Sequence, residues 1–157
     1  MDGKMNDKET ETKLPTYWST PLSEICLVKI GVVVYPSMVI SDYQAPSLYH
    51  LIADGKKRPT NVTVISGWLD WASVPATNTP QDCVEQGFNI GGNMSGDSRA
   101  RLGVLLSNEA DGCRQATHWA GVGVDDIDEG SGDNPLRVSA GSFKDGYRSF
   151  RVIILVR

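Results

Sequence analysis

Apolar positions in this chain gather into short runs separated by glycine, proline and acidic stretches, with few long helical stripes. The densest run, residues 25–35, holds Ile25, Leu27, Val28, Ile30, Val32, Val33 and Val34 with Lys29 as its one charge. β-Branched side chains lose rotamer freedom in helices and pack well on a pleated surface, so this run predicts a strand, and its near-continuous apolarity predicts burial on both faces. Residues 60–68 alternate Val62 and Val64 with Thr63 and Ile65, the period of a second strand. Shorter runs at 101–106 and 119–124 predict two more. Residues 46–53 read as the one helix: Pro46 suits a first helical position, Leu48, Leu51 and Ile52 share a face, and Gly55 terminates it.

The carboxyl-terminal runs 136–143 and 147–156 flank Lys144-Asp145-Gly146, and Asp-Gly between strand-like segments predicts a hairpin because Gly supplies the positive φ of the turn. Residues 150–156 are apolar at almost every position after Arg151, which predicts a strand inside its sheet. Twelve of the sixteen glycines fall between Gly87 and Gly146, and Pro75 and Pro80 bracket residues 73–81, so long irregular loops are expected there. The resulting fold class is α+β: a β-dominated single domain with one short helix, long Gly-rich loops and a C-terminal hairpin. Residues 1–13 alternate acids and lysines and read as a disordered polar tail, leaving residues 14–157 as the globular domain.

At 157 residues with 40% hydrophobic and 22% charged positions, the chain suits one soluble domain with a real core. A net charge of −4 gives no basic surface for phosphates, so nucleic acid is a poor partner. The apolar stretch 25–40 carries Lys29 and Pro36 and is shorter than the roughly 20 residues of a membrane helix, and the amino terminus lacks a secretory pattern. A cytoplasmic or virion-associated location is the expectation.

Three cysteines, Cys26, Cys83 and Cys113, make an odd count that suits neither a fully paired framework nor a four-thiolate zinc site. Reduced, buried thiols are the favoured reading; a Cys83–Cys113 disulfide is the alternative, which spacing cannot establish. His118, near Cys113, raises a small Cys-His hydrolase as a minor alternative. His50 has no neighbour to make it a site.

Two groups of residues carry the binding chemistry. The loop containing Asp125, Asp126, Asp128, Glu129 and Asp133 could turn several oxygens toward calcium, although it departs from the twelve-residue calcium-loop pattern and also reads as an ordinary solvated turn. Trp68, Asp70 and Trp71, with Asn93, His118 and Trp119, form the candidate ligand surface: exposed indoles beside polar groups can stack on a sugar or anchor a protein interface. Core burial of the tryptophans competes with that reading.

Arg137-Val138-Ser139-Ala140-Gly141-Ser142-Phe143 followed by Gly146-Tyr147-Arg148-Ser149-Phe150-Arg151-Val152 resembles the closing segment of C-type-lectin-like domains of the formylglycine-generating-enzyme type. The resemblance implies a small mixed fold displaying variable loops for receptor or ligand binding. It does not imply oxidase activity, since no cysteine pair has copper-binding spacing. The expected function is a non-catalytic recognition module for a glycan or protein surface, with a structural or receptor-binding protein of a phage or virion assembly as the alternative and homo-oligomerisation open.

Overall fold

The structure, a computed structural model, describes residues 15–30, 37–61, 67–68, 82–92, 97–107, 113–125, 138–142, 146–149 and 151–157. Its elements in chain order are α1 (Thr16–Ser19), β1 (Ile25–Ile30), β2 (Ser37–Ile40), α2 (Leu48–Ile52), β3 (Arg58–Pro59), β4 (Cys83–Gly91), β5 (Arg99–Ser107), β6 (His118–Asp125), β7 (Val138–Ser142), β8 (Gly146–Ser149) and β9 (Arg151–Val156). They form two antiparallel sheets, one ordered β2-β1-β9 and the other β3-β4-β5-β6-β7-β8. The β-dominated expectation holds, with a second short helix, α1, that the apolar pattern did not predict.

One core joins the two sheets. Ile25 and Leu27 of β1 and Met38 and Ile40 of β2 cluster with Phe88 of β4, Leu102, Val104 and Leu106 of β5, and Ala120 of β6. Leu48 and Leu51 of α2 and the Trp68 indole complete it, with Val152, Ile154 and Val156 of β9 packed against it. Each fully buried Leu, Ile or Phe in such a core is worth about 1.5–3 kcal/mol over exposure, so this shared cluster is the main reason the two sheets stay together.

The opposite face of the larger sheet is covered too. Ile90, Ala100, Leu105, Trp119 and Val124 pack with Cys113 and Ala116 from the segment that follows β5. That segment is pinned to the sheet by a Cys83–Cys113 disulfide, by the Arg114–Asp97 ion pair at 3.0 Å, and by the Ala116 N–H donating to Ser98 Oγ at 3.0 Å. Favouring reduced thiols was therefore wrong for two of the three cysteines. Cys83 at the start of β4 and Cys113 beyond the end of β5 are 30 residues apart in sequence, yet pairing of the two strands brings their Cα atoms to 5.5 Å. Cys26 is free and half-buried.

Several boundaries moved for physical reasons. β1 lies in a three-stranded sheet with core on one side, so its burial alternates and it is not buried on both faces. β9 pairs with β1 alone among the described strands and exposes Ile153 and Leu155, so it is not an interior strand. β4 was missed because Gly87 and Gly91 interrupt its apolar alternation. Gly87 faces Gly103, which faces Gly121. A Cβ on Gly103 would sit 2.4 Å from the Ala120 carbonyl oxygen, so glycine here permits a close strand approach and does not mark a loop. Gly67 and Trp68 are helical, which cuts short the strand expected over 60–68; residues 62–66 lie outside the described set. A hairpin is present as β7 and β8, with Ser142 opposite Gly146, but the run expected as one arm over 147–156 is divided between β8 in the larger sheet and β9 in the smaller.

Candidate functional site

Two of the six residues expected to form the ligand surface are buried. Trp68 is fully buried in the shared core and Trp119 is buried over the second cluster, opposite Leu105 and Gly141. A buried indole cannot stack on a sugar ring, so these two assignments are corrected: the core reading wins because a Trp offers more apolar area than any other side chain. His118 opens β6 half-buried, its Nδ1 3.2 Å from Thr117 Oγ1. The strand expected over 119–124 is present as β6, which runs from His118 to Asp125. Asp70, Trp71, Asn93, Asp126, Asp128, Glu129 and Asp133 lie outside the described residues; Asp125 closes β6 opposite Arg99. Among the described residues no group of three or more His, Cys, Asp or Glu side chains is placed to hold a metal ion.

Cys113 is disulfide-bonded, so it has no thiol to give a Cys-His pair while the bond is closed. A serine–imidazole contact occurs elsewhere: Ser47 Oγ lies 2.8 Å from His50 Nδ1. Ser47 is completely buried, which keeps its hydroxyl away from a substrate in bulk solvent.

The structure brings together an aromatic group that the glycine-rich centre drew attention away from. Tyr17 and Trp18 on α1 meet Tyr49 on α2, with ring centroids 4.7 Å apart for Tyr17–Trp18, 4.9 Å for Trp18–Tyr49 and 6.1 Å for Tyr17–Tyr49. Trp18 leaves 50% of its surface to solvent and Tyr49 leaves 39%. The His50 ring adjoins Tyr49 edge-on at 5.8 Å. A sequence signal existed: with Leu48 and Leu51 one helical face points to the core, and the roughly 100° step between residues turns Tyr49 outward. Finding its partner Trp18 required the fold, because α1 and α2 are separated by β1 and β2.

Neither helix is long enough to be stable alone, so the platform depends on how α2 is held. Asn89 Nδ2 on β4 donates toward the carbonyls of Leu51, Ile52 and Lys56 at 3.1–3.3 Å, and Arg58 Nη1 donates to Leu51 and Lys56 carbonyls at 3.0 Å. These bonds satisfy carbonyls that the end of α2 leaves open. Asn89 adopts a φ of 48°, a left-handed conformation that asparagine tolerates better than most residues. Its Oδ1 accepts from Arg101 Nη1 at 3.3 Å. Burial, then the neighbouring Tyr49, pushes the Tyr17 phenol above its ordinary pKa, while the Arg101 charge pulls it the other way. The cluster is therefore a neutral, aromatic platform with a guanidinium nearby.

Arg58 also clasps Asp54 through two 2.8 Å bonds, Nη1 to Oδ1 and Nη2 to Oδ2, and Asp54 Oδ1 accepts the Lys56 N–H at 3.0 Å. The Arg58 hydrogen bonds, then the Lys56 N–H, hold the Asp54 carboxyl well below the usual carboxylate range.

Comparison of the chain with protein-family models, curated proteins and solved structures finds no match. Among the described residues no helix is long and apolar enough to cross a membrane.

Proposed function

We propose that this protein is a non-catalytic recognition module whose working surface is the Tyr17–Trp18–Tyr49 cluster, and that its ligand is a glycan or an apolar segment of another protein. The observation that carries this reading is the half-exposed Trp18 indole held against Tyr49. Exposed Trp and Tyr bring large rigid area to a contact at little rotamer cost, and are enriched where binding energy concentrates. The clamping of α2 by Asn89 and Arg58 supports the same reading, since a fixed platform loses less entropy on binding than a mobile one. The resemblance to C-type-lectin-like domains points in the same direction, with calcium at the acidic loop as an accessory proposal.

Glycan and peptide arrays probed with and without calcium test this. Binding that Trp18→Ala and Tyr49→Ala abolish supports the reading; binding unchanged by both variants, or absent from both arrays, overturns it. Calcium dependence reports separately on the acidic loop. A structural protein of an assembly is the second reading, favoured by the apolar outer face of β1, β2 and β9.

A further inference from the structure

The smaller sheet has one face on the core and one face outward, and the outward face is apolar. Register places Val39, Cys26 and Leu155 in one row across β2, β1 and β9, and Ser37, Val28 and Ile153 in the next, with Ile30 of β1 opposite Arg151 of β9 beyond them. Val39 and Leu155 are 53% exposed and Ile30 and Ile153 are 46% exposed. Alternation on an antiparallel sheet with one solvated face calls for polar side chains at these positions. Here Ser37 is the single hydroxyl in the two full rows. At one end they run out to the Glu24–Arg157 ion pair, placed by the reciprocal backbone bonds that continue the β1–β9 ladder.

We propose that this face is the contact surface between two copies of the chain, packed sheet on sheet about a two-fold axis. Area and chemistry both select a second copy. The four half-exposed side chains, together with the half-buried Cys26 and Val28, present about 400 Å² of apolar surface, within the roughly 300–600 Å² of the largest patch on a typical monomer, a patch that is often functional. Two such faces together remove about 800 Å², close to the 65% apolar share expected in a homodimer interface of about 1,200 Å², the lower end of the stable range. The two full rows carry no charge, and rotated by a two-fold axis such rows meet their own apolar side chains. The Glu24–Arg157 pair supplies the polar rim that such interfaces carry. The rows hold none of the aromatic cluster residues named above, and the dimer does not depend on their function.

Cys26 makes the test direct, because its free thiol lies in the middle of the first row. Sedimentation of the full chain between about 1 and 200 μM is expected to move from the 17.1 kDa monomer to twice that mass, as association through an interface of this size predicts. Alkylation of Cys26 by a maleimide is expected to slow about threefold or more over the same range, by mass action. Leu155→Lys and Val39→Lys, each at a half-exposed position, should retain the native circular dichroism spectrum, remain monomeric and lose the concentration dependence of alkylation. Trp18→Ala should dimerise normally, which separates failure here from failure of the recognition reading. A chain that stays monomeric throughout overturns the proposal and leaves the face to a different protein or a lipid surface. Dimers that persist in both lysine variants, with Cys26 still reactive, overturn it by placing the contact elsewhere.

Discussion

Trp18 and Trp68 carry the same indole into opposite surroundings, and substitution should separate them. Trp68→Ala empties a fully buried site in the core shared by both sheets and is expected to cost about 3–5 kcal/mol in denaturant unfolding. Trp18→Ala removes half-exposed contacts to Tyr17 and Tyr49 and should cost no more than about 1.5 kcal/mol while abolishing ligand binding. Asp54 offers a residue-level test of pH dependence. Its carboxyl is depressed in the folded chain, so the stability it contributes is present above the unfolded value of about 3.9 and is lost as pH falls through the lower folded value. Melting temperatures between pH 2 and 6 should show a small advantage of the wild type over Asp54→Asn that shrinks toward the acid end; an unchanged difference across that range would show that the clasp with Arg58 contributes nothing.

The elements owe their positions to contacts that cross between them. The segment after β5 is held over the second core cluster by the Cys83–Cys113 bond, the Arg114–Asp97 pair and the Ala116–Ser98 hydrogen bond. Closing a loop of 30 residues restricts the unfolded chain enough to be worth about 3–4 kcal/mol. Reduction, or the double change Cys83→Ala and Cys113→Ala, should lower the denaturant midpoint accordingly and expose Trp119 to acrylamide quenching while Trp68 stays shielded. The glycine row across β4, β5 and β6 acts by the opposite means, through what is missing. Gly103→Val would drive a side chain into the Ala120 carbonyl, and its soluble yield and melting temperature should fall well below those of Val104→Ala, which only leaves a cavity.

For the molecule as a whole, a single core spanning both sheets predicts one cooperative unfolding transition. Trp68 emission and far-ultraviolet circular dichroism should trace superimposable curves, because neither sheet keeps its buried face when the other departs. What the sequence by itself determined was local: short apolar runs made β1, β5 and β6, Gly55 ended α2, and the expected carboxyl-terminal hairpin pairs β7 with β8. Each of these rests on backbone sterics or on a period within a few residues, which neighbours in sequence suffice to express. Whether Trp68 faced ligand or core, whether Cys83 met Cys113, and whether Trp18 met Tyr49 depended on segments distant in sequence. Only tertiary packing decided these, because burial is a property of what lies opposite a side chain, and the chain reads the same whichever face is covered. The apolar outer face of the smaller sheet follows the same rule: the composition of β1 and β9 suggested interior strands, and the three-stranded sheet left one side of them to solvent.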